Sequence, residues 1–362
     1  MEDNVTSDNV SSEAPACHVW LKDALPNLYN ATLDQVNSQL VRRNIGGILL
    51  LSALIIVGLI GNVHVMWIYL RQFKTSNYRV YVLWLAILDI LNCTVVAPMV
   101  ISYLFFPVQF PSLLYCKLFR FVLYVMAISS TSSLIAIAID RYRKVCNPLG
   151  KQFSIKKAKF LCVLSLCVGI GMSWPAPIMY GMSHAPTGVP GLEGYRCFTE
   201  DYFKTTYYQT IFNAILGLYF IVVSSTLVFV YIRIGKHIKT HQKFQNNIRK
   251  MSVRNPEELK AVTNAGSNKS TVTLCVVTIA YILSALPHHI LATLIFLKKD
   301  FDCSLSLVSA QLYYTFIWSY FVNSVVNPFI YGIRDKKFRF AVKRLYRKTN
   351  ESPAPPVTTV AY

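Results

Sequence analysis

The stretch LIAIAIDRYRKVCNPLG, Leu134 to Gly150, passes directly from six apolar residues into an adjacent acid and base, Asp140 and Arg141, and then into a cationic segment. An apolar run with such an end is typical of a helix that leaves the hydrocarbon core of a membrane. Composition favours the same interpretation, because 54% of the 362 residues are hydrophobic and only 15% are charged. We therefore expect a membrane protein.

Apolar runs of this kind recur along the chain. About twenty apolar residues suffice for a helix to cross the hydrocarbon core, which is ~30 Å thick. We number the seven runs spans 1 to 7: 45–70, 79–106, 113–145, 159–180, 207–235, 271–297 and 307–332. The expected fold is an all-α membrane protein, a seven-transmembrane helix bundle.

The ends of the chain differ from the spans. Beyond span 7, Phe338, Val342 and Leu345 are spaced for one helix face among cations, which predicts a short amphipathic eighth helix on the inner leaflet. The expected divisions are an outer tail, the seven-transmembrane domain, the amphipathic helix and a disordered cytoplasmic tail: 1–44, 45–332, 333–346 and 347–362.

Charge asymmetry predicts the orientation. The segments that follow spans 1, 3, 5 and 7, together with the adjoining ends of the spans, hold 27 of the 36 Lys and Arg residues, so they are expected on the cytoplasmic side and the N-terminus outside. The net charge of +19 then needs no nucleic-acid partner. The N-terminal segment lacks the pattern of a cleavable signal peptide, so span 1 is expected to direct membrane insertion. Three sequons in this outer segment are candidate glycosylation sites: Asn4, Asn9 and Asn30.

Cysteines divide between the two sides in the same way. Cys17, Cys116, Cys197 and Cys303 fall in predicted outer segments, and four outer thiols suffice for two disulfides. The spacings alone leave their pairing open.

Span 2 carries an acid, Asp89, within the membrane. An unpaired carboxylate there is costly, so Asp89 is expected to face the bundle interior and to bind a cation, a proton or polar side chains of other spans. In span 7, Pro328 removes a helix hydrogen bond and frees a carbonyl, which predicts a hinge beside Asn327 and Tyr331. The candidate polar partners of Asp89 are Asn62, Ser130, Asn323, Ser324 and Asn327.

Together these residues resemble the rhodopsin-like (class A) G-protein-coupled receptors, and most closely the neuropeptide receptor group, over Ile45 to Tyr346. The resemblance is carried by short motifs in the family's order and spacing. They are Gly61-Asn62, Leu85-Ala86-Ile87-Leu88-Asp89, Cys116, Asp140-Arg141-Tyr142, Cys197 and Asn327-Pro328-Phe329-Ile330-Tyr331.

The resemblance implies a multi-pass plasma-membrane receptor that activates a heterotrimeric G protein, with arrestin-type and kinase partners at its inner face. It implies an activation switch of Asp140, Arg141 and Tyr142 with Asn327, Pro328 and Tyr331. It also implies a disulfide between Cys116 and Cys197 and, as in several peptide and chemokine receptors, a second between Cys17 and Cys303. No cofactor is expected beyond an allosteric sodium ion held by Asp89, Ser130, Asn323, Ser324 and Asn327.

The sequence departs from the family pattern within spans 4 to 6. Cys167 takes the usual place of the fourth-span tryptophan, with Trp174 two turns later, and Val223 takes the place of the fifth-span proline. The sixth-span Cys-Trp-x-Pro reads Ser284-Ala285-Leu286-Pro287, so Tyr281 is a candidate to relay the signal instead. The inner end of span 6 also lacks the acid that pairs with the arginine in some members, and we expect a looser resting state.

Several ligand classes are disfavoured. Leu123 stands where amine receptors of the family carry an aspartate, and span 7 has no lysine for retinal. The segment between spans 4 and 5 resembles the hairpin lid of neuropeptide receptors, which favours a peptide. Lipids, other small molecules and a seven-span transporter or channel stay as alternatives, whereas no catalytic motif indicates an enzyme. The candidate ligand contacts are Arg120, Leu123, Tyr124, Glu200, Asp201, His288, His289, Tyr313 and Ile317.

Overall fold

Long helices dominate the computed structural model, which describes residues 30–187, 189–251, 265–297 and 305–347. Six of its helices are long and apolar enough to cross a membrane, and they correspond to spans 1 to 6. The α-helices of spans 1 to 6 have the bounds Leu33–Gln72, Asn77–Leu91 continued by Ala97–Phe105, Leu113–Cys146, Ile155–Ser173, Tyr208–Met251 and Ala265–Leu297. Several of these helices are longer than the spans predicted from the sequence.

Span 1 begins a dozen residues earlier than predicted. Thr32 caps the helix at Leu33, since its hydroxyl accepts from the Gln35 N–H while the Gln35 side chain accepts from the Thr32 N–H. The extra turns are held by the end of span 2 and the loop after it: the Asn37 amide donates to the Phe105 carbonyl at 3.0 Å, and its oxygen accepts from the Val108 N–H at 3.4 Å. Hydrophobicity alone located the apolar part of this helix and missed its polar start.

Span 2 changes its helical form near its middle. Asn92–Val96 forms a π-helical turn, and Pro98 follows directly in the outer half of the span. A proline lacks the N–H of the regular ladder, and a π-turn is one way in which a membrane helix accommodates that loss.

Span 7 is divided, which explains why it is absent from the six continuous helices. Its outer part is the α-helix Leu307–Phe316, followed by a 3-10 turn over Ser319–Val322 and the inner α-helix Asn323–Arg334. The carbonyl of Ile317, at the break, accepts a hydrogen bond from the His288 ring at 2.6 Å. The break therefore occurs where span 6 supplies a partner for the backbone.

The eighth helix, Lys336–Arg347, follows span 7 after the single residue Asp335. The Asp335 carboxylate accepts from the backbone N–H groups of Lys337 and Phe338 and from the Tyr69 hydroxyl of span 1. Phe338 is buried and Val342 is half-buried, as the predicted apolar face requires. The helix is thereby fixed against the inner end of span 1.

The connection between spans 4 and 5 is an antiparallel hairpin of β1 (Tyr180–Pro186) and β2 (Glu193–Thr199), with Met182 opposite Cys197. Gly191, at φ +74°, adopts the left-handed backbone in the turn. Tyr195 exchanges two backbone hydrogen bonds with the loop between spans 2 and 3, to Val108 at 2.7 Å and from Phe110 at 2.9 Å. The hairpin is therefore attached to that loop as well as to spans 4 and 5.

Candidate functional site

Arg141 lies at the inner end of span 3 and is almost fully buried, with 1% of its surface exposed. Its Nη2 forms an ion pair with the carboxylate of the adjacent Asp140. Nε and Nη1 have no hydrogen-bond partner within the described ranges. A buried guanidinium that is only partly satisfied can donate to another acceptor, such as a backbone carbonyl.

Asp140 has a second partner that the sequence did not indicate. The Asn77 amide, at the start of span 2, donates to Asp140 Oδ1 at 2.8 Å and to the Phe153 carbonyl at 2.9 Å. Asn77 thus holds the acid of the pair and the second inner loop together. Tyr142, by contrast, is 38% exposed and lies away from this network.

The inner half of span 7 packs very closely against span 1. A Cβ at Gly61 would lie 2.8 Å from Pro328 Cγ, so only glycine fits there. Because Pro328 has no N–H, the carbonyl of Ser324 loses its helical partner, and the amide of Asn62 donates to it at 2.7 Å. The Gly-Asn pair of span 1 thereby satisfies the carbonyl that the proline of span 7 frees, as the predicted hinge requires.

Asp89 is buried and accepts a hydrogen bond from the Asn327 amide at 2.8 Å. Ser324 is linked to the same span by a 3.3 Å bond from Asn92 to its hydroxyl. Three other oxygens of the predicted network have no partner among the described residues: Ser130 Oγ, Asn323 Oδ1 and Asn327 Oδ1. A carboxylate and unsatisfied oxygens are the ligand type that hard cations take, so these residues fit a cation chemically.

Hydroxyl pairs connect the spans where the family motifs are missing. The Tyr281 hydroxyl of span 6 lies 2.7 Å from Thr131 Oγ1 of span 3, and the Tyr219 hydroxyl of span 5 lies 2.7 Å from Ser132 Oγ. Val223, in place of the proline, is buried in the core. Cys167 and Trp174 are both exposed, so neither takes over a packed position in the bundle.

At the outer end of span 3, Cys116 forms a disulfide with Cys197 of β2, with the two Cα atoms 5.4 Å apart. Four residues further along, Arg120 Nη2 donates to the Cys197 carbonyl at 2.7 Å. Its guanidinium also lies 4.9 Å from the ring centre of Tyr103 and 4.8 Å from that of Tyr180. The hairpin is thus anchored to span 3 covalently and through Arg120.

Comparison with known proteins gives this arrangement its context. The family model described as 7 transmembrane receptor (rhodopsin family) matches residues 61–331, well over half of the chain. The chain belongs to the rhodopsin family of seven-transmembrane receptors. It is a multi-pass plasma-membrane G-protein-coupled receptor and not an enzyme, which confirms the resemblance seen in its motifs.

Individual relatives share about a quarter of their aligned residues with this receptor. The receptor is 25% identical to the growth hormone secretagogue receptor type 1 of Homo sapiens over 301 residues, 81% of this chain and 78% of the relative. The same receptor of Mustela putorius furo is 24% identical over 351 residues, 94% of this chain and 89% of the relative. The neuropeptide FF receptor 2 of Rattus norvegicus is 26% identical over 249 residues, 62% of this chain and 54% of the relative.

The remaining predicted contact residues of the receptor lie on several elements. Tyr124 shares a 2.9 Å hydroxyl pair with Tyr180, while the ring of His288 lies 4.8 Å from that of Tyr320 and that of His289 stacks on Phe220 at 3.6 Å. Three further candidates have different surroundings. Leu123 belongs to the apolar core, Tyr313 is buried beside Tyr314, and Ile317 supplies its carbonyl to His288.

The two predicted acids both have partners inside the receptor. Glu200 forms a 2.9 Å ion pair with Lys117. Asp201 contacts Lys204 Nζ and His184 Nδ1, each at 2.5 Å. Partial burial raises the pKa of Asp201, but hydrogen bonds from Lys204 and His184 outweigh it and bring that pKa well below its ordinary value. Both acids therefore stabilise the hairpin region.

Sequence reasoning missed the aromatic residues that surround Arg120 and His288. They are spread over three segments, so no short motif connects them, and helical spacing gave no reason to prefer them to other aromatics. They are Tyr103 and Tyr180 beside Arg120, and Tyr320 beside His288. Other predicted sites, namely Cys17, Cys303, Asn4 and Asn9, lie outside the described residues, whereas Asn30 is exposed.

Proposed function

We propose that this receptor is activated by an extracellular peptide. The observation that carries the proposal is the β-hairpin of residues 180–199, which is tied to span 3 by the Cys116–Cys197 disulfide and to the neighbouring outer loop by Tyr195. An already ordered hairpin can contact a flexible ligand at a lower entropy cost, because the receptor does not have to become ordered on binding. Relatives that bear the names growth hormone secretagogue receptor and neuropeptide FF receptor support this ligand class.

In this proposal the N-terminus is extracellular and the C-terminus cytoplasmic. The charge asymmetry supports that orientation. The position of the disulfide also supports it, because Cys116 and Cys197 lie at the end of the bundle opposite Arg141, and disulfides persist in oxidising surroundings. The free thiol of Cys146 lies at the inner end of span 3.

Activation is proposed to be a shift between two arrangements of the bundle. Arg141 is held by Asp140 in one, and it is released toward the G protein in the other. A ligand shifts such an equilibrium only by its difference in affinity for the two states. The bond between Tyr281 and Thr131 is well placed to couple span 6 to span 3 where the usual tryptophan is replaced by Ala285.

A sodium ion at Asp89 is proposed as an allosteric partner of the resting state. A bound monovalent cation would neutralise the buried carboxylate and use oxygens of Ser130, Asn323 and Asn327 that have no partner among the described residues. Asn327 connects this network to the hinge at Pro328. Receptor stability that rises with sodium but not with the larger cation choline, and that loses this response in Asp89→Asn, is the expected result.

Partners at the inner face are proposed from charge. The eighth helix, Lys336–Arg347, carries six cations and no acid, which suits anionic lipids of the inner leaflet. Kinases and arrestin-type proteins are proposed to act on hydroxyl residues of the third inner loop and the tail. These residues, Ser252, Thr349, Ser352, Thr358 and Thr359, lie outside the described part of the chain.

The test is a peptide-library screen on cells that express the receptor with a promiscuous G-protein reporter. Arg141→Ala is run alongside, with surface levels measured for both chains. A response that disappears in the variant at equal surface expression supports the proposal. Silence toward every peptide, with activation by a lipid or another small molecule, would replace the peptide with that ligand class.

A further inference from the structure

Arg120 is buried, and none of the described acids lies beside it. Only 8% of its surface is exposed, and within the described part of the chain no carboxylate lies within ion-pair distance. Nη2 donates to the Cys197 carbonyl, but Nε is buried and has no partner among the described residues. Because a buried charge is normally paired, such a guanidinium indicates a missing anion.

The groups that do surround Arg120 are neutral aromatic rings. Its guanidinium carbon lies 4.9 Å from the ring centre of Tyr103, 5.1 Å from that of Phe119 and 4.8 Å from that of Tyr180. The faces of such rings attract a cation but leave its net charge uncompensated. They also hold the planar fork in one orientation, which favours two parallel hydrogen bonds to a carboxylate.

The described acids on the outer side have other partners. Glu200 is paired with Lys117, and Asp201 with Lys204 and His184. Asp34 accepts from Gln109 at 2.7 Å, and Glu193 accepts from Tyr195 at 3.3 Å. The lysines nearest the hairpin are therefore occupied together with its acids. Among the described residues, Arg120 therefore stays a buried cation without an acid partner.

We propose that Arg120 binds a carboxylate of the activating peptide, either its C-terminal carboxylate or an Asp or Glu side chain. This inference rests on the proposed function and specifies the ligand chemistry of the same site. The ligand contacts predicted from the sequence include one arginine, Arg120, and two acids, Glu200 and Asp201, so they do not choose between an anionic and a cationic peptide. The internal pairing of Glu200 and Asp201, together with the unpaired state of Arg120, favours the anionic one.

The experiment uses the full receptor in cells and three matched sets of random peptides. The first set lacks Asp and Glu and ends in a free carboxylate. The second lacks Asp and Glu and ends in an amide, while the third contains Asp and Glu and ends in an amide. Each set is applied to the native receptor, to Arg120→Gln and to Arg42→Gln, which removes an exposed outer arginine as the control. A fourth set of carboxylic acids that are not peptides is run in parallel.

We expect activation by the first or the third set and none by the second. The set that is active distinguishes a C-terminal from a side-chain carboxylate. The potency of active peptides should fall about tenfold or more in Arg120→Gln, as for loss of a charge-assisted hydrogen bond, and stay unchanged in Arg42→Gln. If Arg120→Gln fails to reach the surface, the contrast between the sets on the native receptor still shows whether activation requires a carboxylate on the peptide.

Two opposite results separate this inference from the proposed function. Activation by the second set with equal potency in Arg120→Gln would overturn the role of Arg120 and leave the peptide receptor intact. Activation only by the fourth set, lost in Arg120→Gln, would overturn the peptide and leave the carboxylate site intact. Silence of all four sets toward a receptor that reaches the surface would overturn both.

Discussion

Span 3 carries two buried arginines at opposite ends, and their surroundings differ in one decisive respect. Arg141, at the inner end, is paired with the adjacent Asp140, whereas Arg120, ~30 Å away along the helix axis, contacts a carbonyl and aromatic rings and has no acid partner among the described residues. Release of Arg141 from Asp140 is the proposed activation step. Among the described residues, Arg120 has no acid that a ligand would have to displace. In our proposals, one helix therefore carries the activation switch at one end and a ligand-binding charge at the other.

The largest expected effect comes from removing the disulfide that anchors the outer end of span 3. Cys116→Ser removes a disulfide between residues 81 positions apart, a loss that typically costs about 2–5 kcal/mol. It also frees the strand whose carbonyl accepts from Arg120. We expect strongly reduced surface expression in flow cytometry. Cys167→Ser, which changes an exposed free thiol, is the matched control. Wild-type expression and signalling in Cys116→Ser would show that the outer end does not depend on this anchor.

Asp140→Asn makes the inner arginine resemble the outer one by removing its acid. The loss of a charge-assisted hydrogen bond, about 1.5–3 kcal/mol, should shift the equilibrium toward the active arrangement by about tenfold or more. The expected result is higher G-protein activation without ligand. Asn77→Ala, which removes only the amide that holds Asp140, should act in the same direction and more weakly. Unchanged or lower basal activity in both variants would contradict the switch.

Gly61→Ala tests whether the stability of the receptor depends on the close contact between the inner halves of spans 1 and 7. The added methyl group would meet Pro328, and overpacking of this kind costs about 1–3 kcal/mol. A lower melting temperature of the purified receptor is expected. Gly332→Ala is the control, because no atom lies within 4 Å of the added carbon there. Equal melting temperatures of the two variants would show that the hinge tolerates separation of the helices.

Tyr281→Phe addresses the connection between the two ends and has the smallest expected effect. It removes the 2.7 Å hydroxyl pair with Thr131, worth about 1 kcal/mol or about fivefold in the equilibrium. Basal signalling should rise modestly if this pair restrains span 6. Tyr219→Phe removes the corresponding pair between spans 5 and 3 and serves as the matched comparison. Identical effects of the two variants would argue against a special role of Tyr281.

The two ends also differ in how far the sequence predicted them. Motifs at the inner end are short and contiguous, and the freed carbonyl at Pro328 follows from proline chemistry, so Arg141, Asn62 and Asn327 were identified before their contacts were known. Their partners were less predictable. Ser324 was among the predicted partners of Asp89, but its bond from Asn62 and the bond from Asn77 to Asp140 join distant spans, which no local pattern encodes.

At the outer end, the disulfide and the hairpin followed from the family resemblance, but the charge of the site did not. Glu200 and Asp201 looked available to a ligand because their partners Lys117 and His184 lie on another helix or another strand, although Lys204, the second partner of Asp201, is only three residues along the chain. The divided form of span 7 was also missed, because hydrophobicity continues through Ile317 and Trp318 while the hydrogen-bond partners change.

The most direct test of the two roles is one experiment on the two arginines. An activating peptide from the screen is labelled, and its binding and G-protein activation are measured for the native receptor, Arg120→Gln and Arg141→Gln at equal surface levels. We predict that Arg120→Gln weakens binding and shifts the half-maximal concentration while the maximal response is retained, whereas Arg141→Gln keeps binding and loses the response. Loss of binding in Arg141→Gln, or loss of the maximal response with unchanged binding in Arg120→Gln, would contradict this division of roles.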